Sequence, residues 1–218
     1  LSSSSAASDV YKRQTQIIAV NQAVDARTKG SLEEIAPTTV KPNGYEDWQV
    51  PWEKQVETIA DAVGKENEGD KLIDDTEKAF EEFRHAHAEL KDKSAAIVMP
   101  YDGKIGLYTE EDGRGQFIED LGMEIPDALQ GDGGSFFVDI APENYAKLNQ
   151  VDYLFVLDYN GSSDALKKDK TFQGLDLVKD DRVRYLDTDT GNAMSMPNPV
   201  TIPWAVDKFC LLYTSDAA

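Results

Sequence analysis

The sequence predicts an α/β fold in which parallel strands alternate with helices, and three observations support that prediction. The stretch Pro51–Lys93 has the longest helical pattern, with apolar residues spaced at the period of a helix. In the rest of the chain, short apolar segments alternate with helical patterns, which is typical of parallel sheets flanked by helices. The strongest strand signal is Val151–Leu157. We expect two α/β bodies, one at each end of the long helical stretch.

The helical stretch contains two consecutive helices. Pro51 suits the first turn of the first helix, and Gly64 suits the position after its end. A second apolar stripe runs from Leu72 to Leu90, with acidic and basic side chains on the opposite face. A helix of about 25 residues is roughly 40 Å long, which is more than one small lobe requires.

The remaining segments are predicted as short strands and helices. The strands are Gln16–Val20, which we expect to be buried, Thr38–Val40, Ala95–Met99, Ile105–Tyr108, Phe136–Val138, Val151–Leu157 and Arg182–Leu186. The short helices are Ser31–Ile35, Gln116–Leu121, Pro142–Asn149, Asp164–Lys168, Thr171–Leu175 and Pro199–Phe209. Ser31, with Glu34 three residues later, predicts a capping box. The segment 187–191 is interpreted as a turn.

Composition and charge limit the classes of partner. The chain has 218 residues, of which 40% are hydrophobic, so a buried core is expected. A net charge of −19 repels nucleic-acid phosphates and anionic lipids, and we expect neither as a partner. The single cysteine, Cys210, excludes an intramolecular disulfide and a cysteine-based zinc site. The sequence contains no run of 18 apolar residues, so no membrane-spanning helix is expected.

Both ends of the chain differ in character from the rest. Residues 1–14 and 210–218 resemble translated sequencing-adapter segments, and we expect them to be foreign to the protein. Residues 1–14 also lack the charged, apolar and small-residue order of a signal peptide. On this interpretation Cys210 does not belong to the natural protein, which we expect to extend beyond both ends.

The sequence contains no phosphate-loop, dinucleotide-binding or nucleophile-elbow motif. Its two histidines, His85 and His87, are two residues apart on a predicted helix and point in different directions, whereas metal-binding pairs are spaced by three or four. Serine and threonine hydroxyls have no histidine outside that helix to act as a base. The acidic residues are too many for counting to exclude a catalytic carboxylate pair, and nothing in the sequence singles one out. We expect no metal site and no cofactor.

Polar and aromatic residues follow several of the predicted strands. Tyr101 follows one strand, Tyr108 ends the next with Arg114 just beyond it, and Tyr159 follows Val151–Leu157. In open α/β sheets, ligands bind beyond the carboxyl ends of the strands. We therefore expect these residues to converge on one edge of the sheet.

The order of elements resembles the ABC-transporter substrate-binding proteins for ferric siderophores, haem and cobalamin. The step Ile35-Ala36-Pro37-Thr38, the break Gly64-Lys65-Glu66 before a long helix and the strand Val151–Leu157 are similar to segments of that family. The resemblance covers residues 15–209. It implies a periplasmic-binding-protein-like fold of two α/β lobes joined by one long helix, with the ligand held in the cleft between the lobes.

The resemblance also implies an arrangement of domains. Residues 15–50 are expected to be the remnant of an N-terminal lobe, and residues 51–93 the helix pair that includes the interlobe helix. Residues 94–209 are expected to form a C-terminal α/β lobe. Most of the first lobe is expected to precede this chain, so that lobe is incomplete here.

The implied function is capture of an iron–siderophore complex and its delivery to an ABC import permease, and the resemblance implies that the protein has no catalytic residues. The implied location is extracytoplasmic, either in the periplasm or at the outer face of the cell membrane through a lipid anchor outside this chain, and we expect a monomer. Haem or cobalamin is an alternative cargo. Two other classes stay open, an enzyme of similar two-lobed shape, which would need cysteines for clusters, and a non-transport acidic surface-interaction domain.

The resemblance assigns two sets of residues. Those expected to line the second lobe's side of the cleft are Tyr101, Arg114, Phe136, Tyr159, Asn192 and Met194. Aromatic rings offer contact area at low entropy cost, and Arg114 is expected to pair with an anionic chelate. Glu143, early in the helix before the strongest strand, is expected to dock on arginines of the permease. Its alternative role is a favourable interaction with the helix dipole alone.

Overall fold

The computed structural model describes residues 15–214, which fall into two units divided between Lys71 and Leu72. We call them the first unit and the second unit. The predicted adapter-derived residues 1–14 lie outside the described residues, and so do residues 215–218 of the second such segment. Residues 210–214 of that segment continue the last helix.

The first unit contains a two-stranded parallel sheet. Strand β1 (Ile17–Ala19) pairs with β2 (Thr38–Val40), so both predicted strands are confirmed. The expectation that β1 is buried is wrong for Ile18, which is 40% exposed. Successive side chains of a strand point to opposite faces, and Ile18 lies on the less covered face of β1.

Helix α1 (Ala26–Glu33) begins earlier than the sequence predicts. Asp25 is its N-cap and accepts a hydrogen bond from the Thr28 amide at 2.7 Å. Ser31 therefore lies inside the helix, and the predicted capping box with Glu34 is wrong. Aspartate is among the strongest N-cap residues, so Asp25 starts the helix before Ser31 is reached.

Helices α2 (Trp52–Val63) and α3 (Glu66–Ala86) confirm the predicted helix pair, and Gly64 ends the first of them. The predicted apolar stripe of α2 is only partly buried. Trp52 at its start is 2% exposed, whereas Val63 at its end is 48% exposed. The described part of the first unit therefore covers one end of the stripe and leaves the other end accessible.

The second unit contains a five-stranded mixed sheet. Its strands are β3 (Ala95–Tyr101), β4 (Lys104–Tyr108), β5 (Phe137–Ile140), β6 (Tyr153–Leu157) and β7 (Val183–Leu186). They lie in the order β5-β4-β3-β6-β7. Strands β3, β6 and β7 are parallel, which confirms the predicted α/β fold, while β4 is antiparallel to both of its neighbours.

The antiparallel strand β4 is the departure from the predicted parallel sheet. Asp102 and Gly103 join β3 to β4 with φ of 46° and 74°, which is the backbone of a two-residue hairpin turn. An Asp-Gly pair favours such a turn because both residues tolerate positive φ. The hairpin places Tyr101 opposite Lys104 at the end of the sheet.

Helices and 3₁₀ segments connect these strands. The α-helices after α3 are α4 (Gly113–Asp120), α5 (Ser163–Leu166), α6 (Lys170–Gln173), α7 (Asp176–Lys179), α8 (Thr188–Ser195) and α9 (Thr201–Thr214). The 3₁₀ segments are Ala88–Leu90, Asp127–Leu129 and Pro142–Gln150. The last of these replaces a predicted α-helix. None of the helices in residues 15–214 is long and apolar enough to cross a membrane.

The segment 187–191 starts a helix and is not the predicted turn. Asp187 caps α8 by accepting a hydrogen bond from the Thr190 amide at 2.8 Å. That hydrogen bond lowers the pKa of the Asp187 carboxyl. In a helix N-cap and in an Asx turn alike, the aspartate side chain accepts a hydrogen bond from a backbone amide two or three residues later. Only the helical residues up to Ser195 distinguish the cap from the turn.

Aromatic residues fill the core on both faces of the second unit's sheet. On one face, Leu154 belongs to a cluster with Tyr145 and Phe172, whose rings meet edge to face at 6.1 Å between centroids. On the other face, Phe155 packs on Phe209 of α9, with ring centroids 5.0 Å apart. Adjacent residues of β6 therefore support opposite layers, as the alternation of a strand requires.

At Gly115, helix α4 packs closely against the loop after β4, and a substitution there tests this close approach. A methyl group at this position would collide with the backbone carbonyl oxygen of Thr109. We expect Gly115→Ala to lower the free energy of unfolding by about 3 kcal/mol, because a backbone group cannot move aside as a flexible side chain can.

The control is Gly30→Ala in α1, where nothing lies within 4 Å of the added methyl group. Alanine there should be neutral or should stabilise the helix by up to about 1 kcal/mol. Urea unfolding followed by circular dichroism measures both variants. Equally small effects would contradict the close approach of α4.

Candidate functional site

Four side chains gather on one face of the second unit's sheet, and we call them the tyrosine cluster: Tyr101, Tyr108, Arg114 and Tyr159. The guanidinium carbon of Arg114 lies 3.7 Å from the centroid of the Tyr108 ring. Tyr101 and Tyr159 are near enough to act electrostatically on Tyr108, and Tyr159 also acts on Arg114. Three of the predicted ligand-binding residues thus lie together, and their role in binding stays a prediction.

Tyr101 is positioned by the hairpin. Its ring lies against β4 where Gly106 has no side chain, and a methyl group at Gly106 would be 3.0 Å from the ring. The Tyr101 hydroxyl donates to Asp139, which raises the pKa of the phenol. Lys104 also donates to Asp139, and its ammonium lies 4.8 Å from the centroid of the Tyr101 ring. These hydrogen bonds, that of Lys104 first, lower the pKa of the Asp139 carboxyl.

Tyr108 forms the base of the cluster. Its side chain is buried, and its hydroxyl donates to the Met99 sulfur at 3.7 Å. Burial raises the pKa of the phenol, and the positive charge of Arg114 opposes part of that rise. Tyr108 therefore stays protonated at neutral pH and presents an uncharged ring to the guanidinium.

Arg114 is fixed by Asp112. The Arg114 Nε and Nη2 atoms donate to the two carboxylate oxygens at 2.7 and 3.0 Å, and the Arg114 amide donates to the same carboxylate as the cap of α4. The two side chains are 15% and 6% exposed. Burial by itself lowers the pKa of Arg114, but the hydrogen bonds and charge of Asp112 outweigh it and raise the pKa. Arg114 therefore keeps its charge, and the two parallel hydrogen bonds to Asp112 set the direction of the guanidinium plane.

Tyr159 lies just beyond the carboxyl end of β6. Its amide donates to the Ser162 hydroxyl at 3.2 Å, and Asn160 and Gly161 complete the turn with positive φ. The Tyr159 hydroxyl would be 2.9 Å from a methyl group added to Gly191 of α8. Because Gly191 has no side chain, the Tyr159 hydroxyl can pack directly against the backbone of α8.

The other predicted ligand-binding residues lie at different depths. Phe136 is half-buried, with its ring 4.7 Å from that of Phe137, which stands opposite Tyr108 in the sheet. On α8, Asn192 is exposed and Met194 is 0% exposed. The helix turns Met194 into the core, so Met194 offers no surface to a ligand in this structure.

Tyr108 is expected to converge with the other aromatic residues but is not assigned to the ligand-binding set, and Asp112 is not predicted at all. The two-residue Asp-Gly hairpin pairs Tyr101 with Lys104 and Ile97 with Tyr108, and this register places Tyr101 and Tyr108 on one face of the sheet. Asp112 precedes the first helical residue of α4, where an aspartate predicts an N-cap. The pairing of Asp112 with a side chain two residues later depends on burial, which the sequence does not show.

Glu143 lies on the surface, apart from the tyrosine cluster. It is exposed in the first turn of the 3₁₀ segment Pro142–Gln150, where the Asn144 amide donates to the Ala141 carbonyl oxygen at 2.8 Å. A 3₁₀ segment leaves amides without partners at its start, as an α-helix does. The position therefore suits both predicted roles of Glu143, a docking contact and a favourable end charge.

A family model described as periplasmic binding protein matches residues 15–190, and the protein belongs to that family. Membership implies an extracytoplasmic protein that binds a solute, and it confirms the resemblance that the sequence shows. The division into lobes that the resemblance implies stays a prediction. No curated protein sequence matches the chain significantly.

Solved structures extend this comparison. The iron uptake ABC transporter substrate-binding protein PiaA from Streptococcus pneumoniae is 26% identical, with a TM-score of 0.77 over 94% of this chain and 71% of that chain. PiaA in complex with ferrichrome is 25% identical, with a TM-score of 0.75 over 89% and 67%. SirA from Staphylococcus aureus has a TM-score of 0.70 at 20% identity, over 93% of this chain and 77% of that chain, and this likeness concerns the fold alone.

Substitutions of Asp112 test how much the cap of α4 and the pair with Arg114 contribute to stability. Asp112→Ala removes both the cap of α4 and the partner of Arg114, so we expect a loss of about 3 kcal/mol in the free energy of unfolding. Asp112→Asn keeps an oxygen for the cap and should cost about half as much.

The control for this test is Asp169→Ala, which removes a cap that accepts from the amides of Thr171 and Phe172. A loss of about 1 kcal/mol is expected there. Denaturant unfolding measures all three variants. If Asp112→Ala costs no more than Asp169→Ala, the pair with Arg114 contributes nothing to stability.

Proposed function

We propose that this protein captures an iron–siderophore complex outside the cytoplasm and delivers it to an ABC import permease. The observation that supports this most is the tyrosine cluster, an aromatic surface with an oriented guanidinium, in a member of the periplasmic binding protein family. The likeness to PiaA, one structure of which contains ferrichrome, favours the same class of cargo. The protein acts as a monomer, in the periplasm or on a lipid anchor, and catalyses no reaction.

The chemistry of the cluster suits such a cargo. A ferric siderophore has an organic scaffold around the metal and oxygen atoms at the edge of the coordination sphere. Aromatic side chains contact the scaffold over a large area at low entropy cost. Arg114 uses Nε and Nη2 for Asp112, and within the described residues Nη1 has no hydrogen bond, so it can donate to a ligand oxygen.

Loss of the guanidinium tests the cargo site. In the complete gene product, we expect Arg114→Ala to weaken binding of ferrichrome by about 1–3 kcal/mol, as for a lost hydrogen bond from a charged donor. Quenching of tryptophan fluorescence by the iron complex gives the dissociation constant.

The control is Arg184→Ala on the edge strand β7, where the arginine bonds to the Asp181 carbonyl oxygen at 2.7 Å. That variant should bind ferrichrome normally. Unchanged affinity in Arg114→Ala removes Arg114 from the site, and no binding of any ferric siderophore by the wild-type protein refutes the proposed function.

Docking on the permease is proposed for Glu143, which is exposed and acidic. Glu143→Arg should abolish uptake of iron by cells that contain the transport system, because it replaces attraction to permease arginines by repulsion. The dissociation constant for cargo should not change.

Charge reversal at Asp176, exposed in the first turn of α7, is the control for docking. Uptake is measured with radiolabelled iron in both strains. Normal uptake in the Glu143→Arg strain shows that Glu143 acts only on the end of its 3₁₀ segment.

A further inference from the structure

Both cations at the tyrosine cluster are already neutralised by carboxylates of the same unit. Arg114 shares two hydrogen bonds with Asp112, and Lys104 forms an ion pair with Asp139. The first pair is nearly buried, and the second lies beside the Tyr101 ring. An anionic ligand would have to compete with a fixed carboxylate for each cation.

The charges around the cluster sum to a negative value. Asp102 in the hairpin turn is exposed and adds a third carboxylate to the two paired ones, against two cations. Beyond the ends of β6 and β7, backbone hydrogen bonds from Ser163 and Thr190 lower the pKa of the Asp158 and Asp187 carboxyls. Each of these carboxylates has a cation near it, Lys167 at 3.9 Å from Asp158 and Lys208 beside Asp187, so Asp102 remains the unbalanced charge. The whole chain has a net charge of −19. The net charge near the cluster and the net charge of the whole chain are thus both negative.

We propose that the tyrosine cluster selects ferric chelates by charge, favouring those without net negative charge, and that Asp112 and Asp139 set this preference. The inference rests on the proposed function, since it concerns which iron chelates the site accepts. Neutral tris-hydroxamate chelates and cationic ones fit this surface. Chelates built from carboxylates or catecholates, which keep negative charge around the metal, do not. This replaces the expectation that Arg114 pairs with an anionic chelate.

The physical reason is that a neutralised arginine remains a hydrogen-bond donor. Arg114 can donate to a hydroxamate oxygen through Nη1 while its charge is balanced by Asp112. Binding then depends on aromatic contact area and on donors, and not on net attraction between opposite charges. Like charges in contact disfavour a partner strongly, which makes the two carboxylates determinants of specificity.

The test uses three ferric chelates with the same coordination sphere. Ferrioxamine B has one positive charge on its free amine, its N-acetyl derivative is neutral, and its N-succinyl derivative has one negative charge. Fluorescence quenching of the complete gene product gives a dissociation constant for each. We expect the anionic derivative to bind about 10-fold more weakly than the cationic one at low salt, with the neutral one between them.

Two variants locate the preference. Asp139→Asn releases Lys104 at an exposed position, and Asp112→Asn releases Arg114, so either should lower the anion-to-cation ratio of dissociation constants by about 3-fold or more. Asp176→Asn is the matched control, because Asp176 pairs with Lys179 at 3.4 Å next to Leu177, a residue of the opposite core layer. It removes one carboxylate far from the cluster and should leave the ratio unchanged.

Four outcomes overturn the proposal. The wild-type protein binds the anionic derivative as tightly as the cationic one, or neither cluster variant changes the ratio, or Asp176→Asn changes it as much as they do. The fourth is that none of the three chelates, nor ferrichrome, binds, and this one alone also refutes the proposed function. Repetition at about 0.5 M salt, where the Debye length is about 4 Å, separates local from distant charges. The local preference should persist there.

Discussion

The hydrogen-bonded pair of Asp112 and Arg114 is the interaction on which the tyrosine cluster depends. One carboxylate caps α4, accepts two further hydrogen bonds from the guanidinium and stays almost inaccessible to water. Since a buried ion without its partner is costly, neither residue can change conformation alone. The guanidinium is therefore held over the Tyr108 ring before any ligand arrives, which reduces the entropy that binding has to overcome.

The second constraint on this surface is that two tyrosine side chains pack directly against backbone at glycine residues. The ring of Tyr101 rests on β4 at Gly106, and the hydroxyl of Tyr159 rests on α8 at Gly191. At both places a side chain would occupy the position of a phenol. The aromatic surface is thus shaped by the absence of side chains beneath it, and its rigidity comes from the sheet and helices that form the core.

Fixed rings and balanced charges suit the proposed capture and later release of a cargo. Contact area gives affinity without long-range attraction, and paired ions give hydrogen-bond donors without net positive charge. Under the proposed charge selection, the net charge of −19 disfavours anionic cargo. The cluster itself lies in the second unit alone, where β3, β4, the turn after β6 and helix α4 supply its residues.

The sequence by itself determined the elements that depend on local pattern. The periodicity of Pro51–Lys93 and the apolar run of Val151–Leu157 specified a helix pair and a central strand, because 3.6-residue and two-residue spacing follow from backbone geometry. It also placed Tyr101 at the end of a strand, and Arg114 and Tyr159 beyond strand ends. Only the tertiary structure decided their surroundings, because burial and charge pairing arise between segments distant in the chain. It turned Met194 into the core, paired Arg114 with Asp112 and joined Lys104 to Asp139 across the sheet.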